Sequence, residues 1–140
     1  MPYAEDFEAA GRRLDRVANL TETLSSPLTS ASGTDVVAGG QLTVVVATVL
    51  GQSAGICHRS AFELHELARE CRRRAQVCRD ATAAALAHQQ RMRQHSAQTS
   101  SWRVEWARHV EAPSDVPNPG SPPAHPWPPP RPPAWVDIRR

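Results

Sequence analysis

The sequence contains no lysine, and all sixteen of its basic residues are arginine. Isoleucine occurs only at Ile56 and Ile138, and asparagine only at Asn19 and Asn118. This bias, together with abundant alanine, arginine and proline, points to a GC-rich coding sequence. It also weakens any functional reading of the arginines, because a solvated face would have to use them anyway. Aromatic residues make up only 5% of the chain. Alanine supplies much of the apolar content, so a core must form by close approach of helices rather than by bulk. The net charge of +2 is nearly balanced and provides no basic field of the kind nucleic acid requires.

Chemical motifs are scarce as well. The chain has no Gly-rich phosphate loop, no nucleophile elbow and no carboxylate pair set for acid–base work. Its six histidines include no His-x-x-x-His pair; His58 and His65 are seven apart, as are His88 and His95. Two helical ligands to one ion need steps of three or four, so these read as solvated side chains. Glu66 and Glu70 are one turn apart, but Arg69, Arg73 and Arg74 lie within pairing distance, as in ordinary helix-surface ion pairs. The sequence reads as non-enzymatic, with no cofactor, no metal and no small-molecule substrate. The first twenty residues carry Glu5, Asp6, Glu8 and Asp15 and lack the apolar stretch of a signal peptide.

What is present is helical periodicity. Residues 3–26 read as a first helix, with Tyr3, Phe7, Ala10, Leu14, Val17, Thr21, Leu24 and Leu28 at steps of four and three. Residues 27–37 are rich in turn formers and read as a loop. Residues 38–98 read as one long second helix, and 102–111 as a short further one. Eleven prolines between Pro113 and Pro133 exclude helix beyond that point. The expected architecture is all-α: an antiparallel hairpin domain over 1–111 with a disordered proline-rich tail over 112–140.

The second helix carries an unusual line of small residues. Leu50, Ala54, Cys57, Ala61, Leu64, Ala68, Cys71, Ala75 and Cys78 recur with a seven-residue period that continues through Thr82, Ala85, Gln89 and Met92, the pattern of a coiled-coil seam. Small residues allow helix axes to approach to the lower end of the usual 8–10 Å range. At about 1.5 Å per residue, the first helix covers about 33 Å and the second about 90 Å. The uncovered remainder of the seam is the reason to expect a partner chain. Cys57, Cys71 and Cys78 share one seam position, and Cys71 and Cys78 are too far apart along a helix for an intrachain disulfide. They read either as small buried apolar residues or as interchain disulfides across a two-fold seam.

Three further features invite a partner. Trp102 and Trp106 share a helix face, and tryptophan is strongly enriched at binding hot spots; docking onto the chain itself is the equal alternative. Phe62 falls off the seam. The tail segment Pro126-Trp-Pro-Pro-Pro-Arg-Pro-Pro-Ala-Trp135 should be polyproline II where ordered, and Pro126, Pro129 and Arg131 fit a Pro-x-x-Pro-x-Arg ligand pattern.

Two other classes of function remain open. The uncharged stretch Val36–Cys57 is long enough for a membrane span of about 20 residues but is diluted by glycine and glutamine. The run Arg72-Arg73-Arg74 could serve a nucleic-acid-associated coiled coil, although Glu63, Glu66, Glu70 and Asp80 are interleaved and no aromatic platform accompanies it.

The organisation of residues 3–98 resembles the WXG/ESX-like helical-hairpin proteins of type VII secretion loci. The resemblance is carried by Phe7-Glu-Ala-Ala-Gly-Arg-Arg-Leu14-Asp-Arg-Val17 and by Leu64-His-Glu-Leu-Ala-Arg-Glu-Cys-Arg-Arg-Arg-Ala-Gln-Val-Cys78. The turn signature Trp-x-Gly and the export signal Tyr-x-x-x-Asp/Glu have no counterpart here. The resemblance implies pairing with a like or related hairpin into a four-helix bundle in a bacterial cell. It also implies a role as a secreted substrate or as the partner or chaperone of one, with a secretion component or toxin among the partners. The implied location is the cytoplasm, with export through such a system.

Overall fold

The computed structural model describes residues 3–33 and 40–136, with side chains at 3–30 and 43–136. Two helices account for the regular structure there: α1, Ala4–Gly33, and α2, Gly40–Glu111. The chain divides into two compact units, Pro2–Val77 and Cys78–Arg140. In the first unit α1 packs against the N-terminal half of α2 as an antiparallel hairpin. In the second, the C-terminal half of α2 carries the proline-rich tail.

The start of α1 is capped from within. The Tyr3 backbone N–H donates to Asp6 Oδ2 at 2.9 Å, half of a capping box. Glu5 and Asp6 place negative charge in the first turn, where the helix dipole favours it. The helix then runs seven residues past the expected end at 26, through Pro27 to Gly33. Its hydroxyls bond back along the helix. Thr21, Thr23 and Thr29 donate to the carbonyls of Val17, Asn19 and Ser25, and Ser25 donates to Glu22. Such back-bonding satisfies side chains that would otherwise nucleate a turn. The expected loop at 34–37 and the expected helix start at 38 lie outside the described residues.

α2 continues without interruption through Gly51 and Gly55, and it absorbs the expected separate helix at 102–111. Pro113 stops it. The Ala112 N–H still reaches the Arg108 carbonyl, and the N–H groups of Asp115 and Val116 close a turn on the Ala112 carbonyl. Among the described residues no helix is long and apolar enough to cross a membrane.

The buried core is made of small residues. Ala18, Ala54, Ala61, Ala68, Ala75, Cys78 and Val136 are buried, and among the described residues no large side chain is fully buried. Close approach supplies what bulk does not. A methyl group built on Gly11 would lie 3.4 Å from the Ala68 carbonyl oxygen and 3.5 Å from Cys71 Cβ.

Candidate functional site

The face of α1 that meets α2 keeps part of the stripe read from the sequence and shifts the rest of it by one residue. Gly11 and Ala18 are buried, and Phe7, Leu14, Thr21, Ser25 and Leu28 are half-buried. Val17 and Leu24, expected on that stripe, are 48% and 61% exposed. The contact follows the smallest residues because only they let the backbones come together.

On α2, Ala54, Ala61, Ala68 and Ala75 are buried, while Leu50, Cys57, Leu64 and Cys71 are half-buried. Within the first unit this line faces α1 of the same chain. There α1 runs longer than its periodicity suggested, to Gly33. Cys78 is buried too, and burial raises its thiol pKa. All three cysteines are free thiols.

One flank of the hairpin is electrostatic. Asp15 on α1 accepts from His65 Nδ1 at 3.1 Å and pairs with Arg72, both on α2. On the other side of α2, Glu70 accepts from Arg73 at 2.8 Å and from Arg74 at 2.8 Å. Hydrogen bonds from Arg74 and then Arg73 hold the Glu70 carboxyl below the usual carboxylate range. Arg74 also lies over the Phe7 ring, 6.0 Å from its centroid. The arginine run is thus engaged with acids and an aromatic ring on its own hairpin.

The opposite flank carries apolar side chains over residues 46–67 of α2 and charged ones from Glu63 onward, since Glu63 and Glu70 follow Ile56, and Arg74 follows Leu67, at steps of seven. At 3.6 residues per turn, a helix whose Gly11, Ala18 and Ser25 face α2 carries Asp15 on one side and Val17, Leu20 and Leu24 on the other. The same geometry on α2 separates His65 and Arg72 from Val46, Val49, Ile56 and Leu67. In an antiparallel pair these two apolar sets share one flank. Leu20, Leu24, Val49, Ile56 and Leu67 are all more than half exposed. Phe62, a proposed contact, is 59% exposed.

In the second unit Trp102 holds the tail. Trp102 is half-buried, donates its indole N–H to the Gly120 carbonyl at 2.9 Å and stacks on Trp106 with ring centroids 5.6 Å apart. His109 donates to the Val116 carbonyl at 2.6 Å, and His95 to the Pro123 carbonyl at 3.2 Å. His95 and His125 meet edge to face at 5.2 Å. An open hollow of about 330 Å³ lies beside them, lined by Met92, His95, Ser96, Thr99, Ser100, Arg103 and His125. It contains no carboxylate, and the Ser100 hydroxyl is committed to the Ser96 carbonyl. Among the described residues no cluster of His, Cys, Asp or Glu could hold a metal ion.

The open flank is what the sequence reading missed. Its signal was the spacing of Val17 and Leu24 by seven, which was read as the inward stripe. Comparison with protein-family models, with curated proteins and with solved structures returns no match for this chain.

Proposed function

We propose that this chain is a non-enzymatic interaction protein whose hairpin docks a like or related hairpin, through its apolar flank, to form a four-helix bundle. The observation that carries this reading is a mismatch between core and surface. The hairpin buries alanines and no large side chain completely, while Val17, Leu20, Leu24, Val49, Ile56 and Leu67 stand about half exposed or more. Full burial of a valine, leucine or isoleucine contributes roughly 1.5–3 kcal/mol, so most of the available apolar stabilisation in this unit awaits a cover. A second hairpin with the same flank supplies one, in the packing that four-helix bundles use.

The role of secreted substrate, partner or chaperone rests on the resemblance to WXG/ESX-like hairpins and on the same bundle geometry. The small-residue seam acts inside each hairpin, and the flank acts between hairpins.

Melting and mass measured across a range of protein concentrations test this reading. Docking makes the melting temperature rise with concentration, and light scattering then reports a dimer, or a one-to-one complex with a hairpin encoded beside it. A monomer of concentration-independent stability, alone and in that mixture, overturns it.

A further inference from the structure

The tail is a sequence of prolines, yet its exposure follows a strict rhythm. Pro123, Pro126, Pro129 and Pro132 are half-buried, and every residue between them is exposed. A period of three is that of polyproline II, which has three residues per turn and therefore three edges. One edge faces α2 over four turns. The Gly120 turn and the hydrogen bonds from Trp102 and His95 fix where it begins, and Val136, only 9% exposed, closes its far end.

Beyond His125, whose ring meets His95, the other two edges face solvent as a regular array. Trp127, Pro130 and Pro133 occupy one, and Pro128 and Arg131 the next. Dipeptides from two adjacent edges, one per turn, are what aromatic-lined grooves read in a polyproline II ligand, and a basic residue at the side sets orientation. Trp127 is 88% exposed, the highest value among the exposed large apolar side chains, and it sits at the head of this array. The Pro-x-x-Pro-x-Arg pattern noted in the sequence changes its meaning accordingly. Pro126 and Pro129 are spent on α2, and the outward ligand is Trp127-Pro128, Pro130-Arg131 and Pro133.

We infer that the outer edges of the docked tail form a preorganised ligand for a protein domain with an aromatic-lined groove and an acidic rim facing Arg131. α2 acts as the splint. It holds the segment in its bound shape, so the groove does not bear the cost of ordering it.

The full chain is titrated against two purified probes, an SH3 domain and a WW domain, with the isolated 121–136 peptide as reference. Binding is followed by tryptophan fluorescence and by the chemical shifts of the probe. At least one probe binds, and the full chain binds it about five- to tenfold more tightly than the peptide, the gain expected from preorganisation. Trp127→Ala and Arg131→Glu each weaken binding about tenfold or more, as loss of an aromatic anchor or a paired charge would. Both substitutions are exposed, so helicity by circular dichroism stays at the wild-type value. Failure of both probes at about millimolar concentration, the upper end of measurable affinity, overturns the inference. Equal or tighter binding by the peptide, or indifference to both substitutions, does so as well.

Discussion

Gly11 on α1 lies against Ala68 on α2 so closely that a side-chain carbon at Gly11 would sit 3.4 Å from the Ala68 carbonyl oxygen. That is ordinary van der Waals contact for one methyl group and no room for more. Gly11→Ala therefore fits, and it removes the helix penalty of glycine, about 0.5–1 kcal/mol. Urea unfolding should show Gly11→Ala equal to or more stable than wild type. Gly11→Leu should be destabilised by about 1–3 kcal/mol through overpacking. Equal stability of the two variants would mean that the helices do not approach at this point.

Asp15 joins the two helices through His65 and Arg72. All three side chains are partly exposed, so the ion pairs contribute little. Asp15→Asn should cost about 0.5–1 kcal/mol at low salt. Most of that difference should vanish near 1 M salt, where the Debye length is about 3 Å. Paired unfolding curves at the two ionic strengths measure it.

Glu70 is held in its charged form by Arg74 and Arg73. A carboxyl whose folded pKa is depressed stabilises the fold above its unfolded pKa, and the contribution is lost as pH falls through the folded pKa. Glu70→Gln should therefore match wild type in strong acid, diverge as pH rises through the lowered pKa, and differ from it fully above the ordinary carboxylate range. An acid titration followed by circular dichroism, comparing the two proteins, shows whether the curves separate on that side.

Thr99 Oγ1 is buried without a hydrogen-bond partner. Leaving a buried polar group unpaired costs about 1–3 kcal/mol. Thr99→Val keeps the shape and removes the hydroxyl, and should raise stability by about 1 kcal/mol. A lower melting temperature for Thr99→Val would show that the hydroxyl is satisfied in solution.

Gly120 has φ of +78°, and its N–H is held by Asn118 Oδ1 at 2.8 Å. That left-handed turn aims the Gly120 carbonyl at the Trp102 indole. Gly120→Ala should strain the turn by roughly 1–2 kcal/mol and loosen the tail. Trp102 fluorescence, shifted to longer wavelength and more readily quenched, reports the release.

Much of the fold was legible in the residues. The alternation of small residues from Leu50 to Cys78 marked the inward line of α2, because a period near 3.5 admits only one buried stripe. The prolines after Pro113 fixed where helix must stop, since each removes a donor. On α1 only the Val17 and Leu24 positions of the stripe were misread, for a physical reason. Apolar periodicity identifies a set of residues spread over a wide arc, and two neighbouring lines, Gly11-Ala18-Ser25 and Ala10-Val17-Leu24, both satisfy it. Hydrophobicity favours the second line; close packing chose the first.

By itself the sequence determined that there would be a short and a long helix, a narrow small-residue edge on the longer one and a non-helical tail. These are local matters of period and backbone chemistry. Only the tertiary structure decided what covers that edge, which flank is left apolar and open, and which face of the tail turns outward. Those choices depend on how near two backbones can come, and that distance is set jointly by residues such as Gly11 and Ala68 that lie far apart in the chain.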